Sequence, residues 1–126
     1  MKSFNILVSF AEGEKEVMKY LRPGWNVLLD SGAFTNFAKG RDVVSLDGYC
    51  DFLKSHGDKF WRYFALDKIA DSDRSKSNLR TMYERGLRPV PVFQRGATIA
   101  DMDEMKKTFG RDRCWRHRRT PYGHRA

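Results

Sequence analysis

Four short runs of almost uninterrupted apolar residues recur along the chain, with helical patterns between them. The runs cover residues 6–10, 26–29, 63–66 and 90–93. Such runs are typical of parallel strands that are buried on both faces, whereas a strand with one wet face alternates. Pro91 removes a ladder donor, so it favours a bulge or an edge for the fourth run.

Apolar residues between these runs recur at helical spacing. The clearest stripe occupies positions 46, 49, 50 and 53 and follows Ser45, a favourable capping residue. Thr98 and Asp101 have the spacing of a capping box. Helices are therefore predicted over residues 14–21, 45–53, 75–85 and 98–109, the last two ending at Gly86 and Gly110.

The order of elements, βαβαβαβα, predicts an α/β fold with a parallel sheet and right-handed crossovers. A complete (β/α)₈ barrel needs about 250 residues, and this chain has 126. We therefore expect a partial, truncated TIM barrel over residues 1–110. A small open doubly wound sheet is the alternative, since it would be complete at this length.

Residues 111–126 break the pattern where a fifth strand is due. They hold six arginines and one acid, a net charge of +5, so only +3 of the total +8 remains for residues 1–110. A segment of this composition buries little, and it is expected to be a disordered basic tail. It is interpreted as the altered end of a truncated gene, with a nucleic-acid-binding arm as the alternative.

The remaining composition bounds the class of protein. No apolar stretch approaches the roughly 20 residues of a membrane span, and the N-terminus lacks the pattern of a signal peptide. A cytoplasmic protein without a membrane partner is expected. Its two cysteines give no disulfide framework, and Cys50 is predicted to be a core residue.

Polar side chains follow three of the predicted strands. Asp30 follows the second run, Asp67 the third and Gln94 the fourth. Each alone could be a turn or capping residue. In parallel α/β folds, however, functional groups gather beyond the carboxyl ends of the strands. Two carboxylates and an amide are therefore predicted to converge on one rim.

The segments around these residues resemble the tRNA-guanine transglycosylases. Residues 29–34, Leu-Asp-Ser-Gly-Ala-Phe, resemble the Asp-Ser-Gly-Gly-Phe signature of that family. Residues 64–67, Phe-Ala-Leu-Asp, are similar to the strand that ends in its base-recognising aspartate. Residues 92–96, Val-Phe-Gln-Arg-Gly, are similar to its Val-Gln-Gly-Gly segment. The resemblance spans about residues 26–110 and is greater to the divergent, phage-type relatives that handle 7-deazaguanine.

This resemblance implies exchange of a guanine or 7-deazaguanine base in tRNA or DNA. The nucleotide would leave its stack and enter a pocket. Asp67 would accept hydrogen bonds from the N1–H and 2-amino edge, Gln94 would donate to the 6-oxo group, and Asp30 would be the catalytic general acid/base. Phe34 would offer a stacking surface. The substrate-binding residues that the resemblance implies are Ser31, Gly32, Phe34, Asp67, Gln94 and Gly96.

The chain also departs from the family pattern. Ala33, Thr35 and Arg95 replace family residues. The covalent nucleophile and the structural zinc site of the family lie on later segments. Cys114 and His117 lack a second ligand pair, so neither a metal nor a cofactor is expected. We expect an inactive fragment that exposes sheet edges and pairs with another copy or with a missing C-terminal half.

Two other function classes compete with this reading. One is a non-catalytic nucleic-acid-binding protein, whose arginine-rich tail with Trp115 and Tyr122 would suit single strands. The other is a hydrolase in which Asp30 and Asp67 hold a divalent metal, with help from His56 and Asp58. The spacing of these residues matches no standard metal motif.

Overall fold

A parallel sheet of three strands organises the molecule, of which a computed structural model describes residues 4–94 and 97–109. The strands are β1 (Phe4–Ser9), β2 (Trp25–Asp30) and β3 (Arg62–Tyr63), and they lie in the order β1-β2-β3. β1 pairs with β2 along all six of its residues, and β3 pairs with β2 through two. The fold is therefore α/β with a small open parallel sheet.

Helices connect and follow the strands. They are α1 (Glu14–Met18), α2 (Ala33–Lys39), α3 (Leu46–His56), α4 (Ser72–Glu84) and α5 (Ile99–Phe109). α3 begins after Ser45, whose hydroxyl accepts from Gly48 N at 3.0 Å, as its sequence predicts. The capping box of α5 is also confirmed, since Thr98 N donates to Asp101 Oδ2 and Asp101 N donates to Thr98 Oγ1, both at 3.1 Å.

The two faces of the sheet are covered unequally. Leu29 and its partner Tyr63 lie on the face toward α3, because a Cβ on Gly57 at the end of that helix would be 3.4 Å from the Tyr63 ring. Leu29 is fully buried, whereas Leu7, on the opposite face, is 63% exposed. With right-handed crossovers, the strand order places the connecting helices on one face. The composition of the apolar runs predicts strands that are buried on both faces, but one face of the sheet is open in the structure.

The core lies between the covered face of the sheet and the helices. The rings of Tyr49 and Phe52 of α3 pack at a tilt against Phe10, with centroids 5.2 Å and 4.9 Å away, and Phe52 also contacts Phe60. Cys50 is buried there as a free thiol, which confirms its prediction as a core residue. The most buried core side chains are Val17, Val27, Leu29, Tyr49, Cys50, Phe60, Leu79 and Met82.

Three helices differ from their prediction. α1 ends at Met18 rather than at residue 21, and Lys19 N donates back to Glu16 O at 3.2 Å. α4 begins at Ser72 rather than at residue 75, because the Asp71 side chain caps it by accepting from Arg74 N at 3.0 Å. α2 was not predicted at all. It begins directly after the turn at Gly32 and ends at Gly40, whose φ of 64° suits a helix terminus.

The fourth predicted strand is reduced to a single parallel bridge at Val90. Val90 N donates to Tyr63 O at 2.8 Å, and Ala65 N donates to Val90 O at 2.9 Å. Because Val90 turns both groups toward β3, its neighbours Pro89 and Pro91 face the other edge, where neither has an N–H to donate. The two prolines therefore leave the outer edge of this segment without donors.

None of the helices in the described part of the chain has the length and apolar character that crossing a bilayer requires. Predictions that concern Gly96, the helix end at Gly110 and the basic segment 111–126 lie outside the described residues.

Candidate functional site

The turn after β2 satisfies its own polar groups. Asp30 Oδ2 accepts from Gly32 N at 3.1 Å, and Ser31 Oγ accepts from Ala33 N at 3.3 Å. Both are contacts between residues two apart, as in the turns that aspartate and serine commonly form. Ser31 is only 1% exposed. The turn leads the chain from the sheet directly into α2.

Gly32 occupies a crowded position in this turn. Its φ is 92°, in the left-handed region. A Cβ at this residue would lie 2.9 Å from Ala11 Cβ and 3.0 Å from Val44 Cγ2. Glycine is therefore required both by the backbone conformation and by the lack of space.

Asp30 lies in a groove along the outer edge of β1. The groove has a volume of about 350 Å³, and Asp30 shares it with Ser9, Glu12, Tyr20 and the middle of β1. Phe34, the predicted stacking residue, is 71% exposed on α2 and lines neither this groove nor the pocket described next.

Asp67, which follows β3, is in a different environment. Its residue exposure is 8%, and its Oδ2 accepts from Gln94 Nε2 at 3.3 Å. Burial raises the pKa of the Asp67 carboxyl above its ordinary value. A hydrogen bond from its own backbone lowers the pKa, the negative charge of Asp30 raises it, and the bond from Gln94 lowers it. Of the three residues predicted to converge on one rim, Asp67 and Gln94 are therefore in contact.

The amide of Gln94 is held by groups of the β3–α4 loop and by Ser75 of α4. Its Oε1 accepts from Ala70 N at 2.9 Å. Its Nε2 donates to Ser75 Oγ at 2.8 Å and also to Lys68 O and to Asp67. This arrangement fixes which end of the amide is nitrogen, because the Ala70 N–H needs an acceptor and the other partners are acceptors.

Ala70 adopts a left-handed backbone conformation, with φ at 65°, and is the one described non-glycine residue with positive φ. Such a conformation is unfavourable for a residue with a Cβ and persists where surrounding contacts impose it. Gln94 supplies one of these contacts. Another comes from Asp71 N, which donates to Lys68 O at 3.0 Å.

A pocket of about 240 Å³ opens beside Asp67 and Gln94, between α4 and α5. Lys76 of α4 and Asp101 of α5 form an ion pair at 3.2 Å on its lining. The pocket therefore combines a buried carboxylate and an amide with largely apolar walls. Its apolar lining residues are Ala65, Ala70, Leu79, Val92, Phe93, Ala97 and Met105.

Asp30 and Asp67 both lie at carboxyl-terminal ends of strands, but they line different cavities. Their charges interact, since Asp30 raises the pKa of Asp67. The same carboxylate, after the larger effect of burial, raises the pKa of the Tyr49 hydroxyl. Asp30 is nevertheless absent from the lining of the pocket beside Asp67. The structure thus brings Asp67 and Gln94 together and places Asp30 in the neighbouring groove.

Ser75, Lys76 and Asp101 are pocket residues that the sequence did not predict as such. Ser75 joins the loop to Gln94, which lies 19 positions later in the chain. The one local signal was Asp71, a favoured capping residue that would have started α4 early enough to place Ser75 in its first turns.

Metal ligation has no support within residues 4–94 and 97–109, where no group of three or more His, Cys, Asp or Glu is positioned to hold an ion. His56 ends α3, and Asp58 lies in the following 3₁₀ turn, before β3 begins. They therefore lie at the amino-terminal end of β3, whereas Asp30 and Asp67 lie at the carboxyl-terminal ends of the strands.

No protein-family model, curated protein or solved structure matches the chain.

Proposed function

We propose that the chain binds a guanine-type base, in the manner of the transglycosylases it resembles, and that Asp67 recognises the base. The observation that carries the proposal is a buried carboxylate that lines a pocket with several apolar walls at the carboxyl ends of parallel strands. A carboxylate is an acceptor for both the N1–H and the 2-amino group of guanine. Guanine or 7-deazaguanine, free or turned out of tRNA or DNA, presents the same edge.

The pocket walls suit a flat heterocycle. Leu79, Val92, Phe93 and Met105 provide apolar surface on several sides of the cavity. Gln94, which also lines the pocket, donates to Asp67 Oδ2 at 3.3 Å. Apolar walls with a few fixed polar groups are the usual composition of small-molecule sites.

The sheet order supports the finer proposal that residues 1–110 form an arc of a (β/α) barrel. The described strands follow one another as β1-β2-β3, and the Val90 bridge adds to the outer side of β3. A barrel winds in this single direction, whereas a doubly wound sheet reverses its strand order at a switch point. The open face around Leu7 would then be part of the barrel interior.

Base exchange is the reaction that the resemblance adds to binding. Asp30, one strand away from Asp67, is proposed as its general acid/base. The family nucleophile belongs to a later strand than residues 26–110, so binding is the step for which these residues supply the groups. We therefore propose a base-binding domain that lacks turnover by itself.

Calorimetry with the protein in the syringe and guanine in the cell tests the binding proposal despite the low solubility of the base. We expect saturable binding that Asp67→Asn weakens by about tenfold to a hundredfold, because hydrogen bonds to a charged group are lost. Hypoxanthine, which lacks the 2-amino group, should bind more weakly than guanine. Asp58→Asn, at the amino-terminal end of β3, is the control and should bind guanine like wild type. Equal binding by wild type and Asp67→Asn, or none by folded wild type, would refute the proposal.

A further inference from the structure

Ser75 is the meeting point of the contacts that shape the base pocket. Its Oγ accepts from Lys68 N and from Gln94 Nε2, both at 2.8 Å. Its proton is directed to the backbone carbonyls of Asp71, at 2.9 Å, and Lys68, at 3.1 Å. A serine hydroxyl has one donor and two acceptor positions, so all of its capacity is used within the protein.

These contacts extend from Ser75 to the recognising carboxylate. Ser75 holds the nitrogen end of the Gln94 amide, and that nitrogen also donates to Asp67 Oδ2 at 3.3 Å. The oxygen end of the same amide fixes Ala70, whose φ is 65°. A single hydroxyl therefore links α4, the strained loop and the carboxylate.

We propose that Ser75 is a positioning residue, which aims the Asp67 carboxylate at the base through the amide of Gln94. It touches the pocket but acts through another side chain, in the way that second-layer partners orient metal ligands. This inference rests on the proposed function for its consequence in binding. The positioning itself is a property of the free protein and is measurable without a ligand.

The first test is NMR on the free protein, which follows the Asp67 ¹³Cγ resonance against pH and the side-chain ¹⁵N–¹H₂ signals of Gln94. In Ser75→Ala, we expect the Asp67 pKa to rise, because the loosened Gln94 no longer favours the charged form. The Gln94 signals should move to the positions of an unconstrained amide. Ser75→Thr, which keeps the hydroxyl, should restore both readouts, and Ser77→Ala on the exposed side of α4 should change neither.

The other charged groups around Asp67 are unchanged in these variants. They are Asp30 at the end of β2, Lys68 in the loop, Lys76 on α4 and Asp101 on α5. A change in the titration of Asp67 in Ser75→Ala is therefore attributable to the hydroxyl. Gln94→Leu provides a second route to the same result, and should raise the Asp67 pKa as much as Ser75→Ala does, with no further rise in the double variant.

The second test is guanine binding. Ser75→Ala should weaken it about tenfold, the effect of one hydrogen bond to a charged group, and should reduce the preference for guanine over hypoxanthine. Wild-type titration and Gln94 signals in Ser75→Ala would overturn the positioning role. If wild type binds no guanine, the proposed function fails, while the NMR result still decides whether Ser75 positions Asp67.

Discussion

The ends of β2 and β3 both carry an aspartate, yet the two regions are built on different principles. At the β2 end, Asp30 and Ser31 bond to backbone groups two residues away, and the sharp turn is made by a glycine. At the β3 end, Asp67 is bonded to Gln94, 27 positions away, and the left-handed residue is Ala70. The polar side chains at the β2 end form hydrogen bonds within the turn, whereas the carboxylate at the β3 end is bonded to a residue distant in the sequence.

This difference indicates which region is the better candidate for binding. A turn whose side chains bond to its own backbone groups is explained by its role in leading the chain from the strand into the next helix. A buried carboxylate with a raised pKa next to a strained alanine is unfavourable for folding, and such features cluster at functional sites. The β3 end therefore has the properties of a base-binding site. The β2 end is a structural turn, apart from the Asp30 carboxylate, which is proposed for the exchange step and not for binding.

The largest expected effect is at the structural turn. Gly32→Ala combines an unfavourable φ with contacts of 2.9 Å and 3.0 Å, so it should lower the free energy of unfolding by about 3 kcal/mol. Gly40→Ala is the matched control, because its φ is also positive but nothing lies within 4 Å of the added Cβ. It should cost about 1 kcal/mol. Equal losses in urea unfolding would show that crowding does not define this turn.

The opposite substitution at the β3 end should be stabilising. Ala70→Gly relieves the left-handed strain, and the greater entropy of glycine in the unfolded state offsets part of this effect, for a net gain of about 0.5 kcal/mol. Ala38→Gly, at an exposed position in α2, should instead lose about 0.5–1 kcal/mol. A loss of stability in Ala70→Gly would mean that the loop holds no strain, and the contrast between the two ends would disappear.

Asp67→Asn should make stability less dependent on pH. Burial raises the pKa of Asp67 in the folded protein, so the folded state binds more protons than the unfolded state between the two pKa values. Wild-type stability therefore falls as the pH rises through that window. The variant should be more stable than wild type at pH 7 and should match it near pH 3, as measured by thermal unfolding. A variant that is less stable at pH 7 would contradict the raised pKa.

The smallest effect expected is the influence of one strand end on the other. Asp30→Asn removes a negative charge that raises the pKa of Asp67, so the Asp67 pKa should fall. Asp58→Asn, at the amino-terminal end of β3, should leave the Asp67 pKa unchanged. A titration of the Asp67 carboxyl by NMR measures both. No change in Asp30→Asn would show that the two ends are electrostatically independent.

The sequence predicted those parts of the molecule that local signals determine. The strands β1 and β2, the cap at Ser45 and the capping box at Thr98 follow from composition and spacing within a few residues. α2 was not predicted, because its first residues were interpreted as part of a functional motif. The fourth predicted strand is reduced to the bridge at Val90, and Pro89 and Pro91 leave its outer edge without donors.

The candidate site could be predicted only in part. Polar residues after strands 2, 3 and 4 indicated the rim, and Asp67 and Gln94 do meet there. The separation of Asp30 from that pocket depends on side-chain direction, which spacing does not reveal. The role of Ser75 and the strain at Ala70 depend on contacts between distant residues, and nothing in the residue types marks them.

Mapping of guanine binding on the backbone amide NMR spectrum tests the central claim most directly, because it separates the two strand ends in one experiment. The account predicts saturable shifts at residues 67–71, at Ser75 and at Gln94, with residues 30–33 nearly unchanged. Shifts centred on residues 30–33 and the β1 groove, or a spectrum that guanine leaves unaltered, would contradict it.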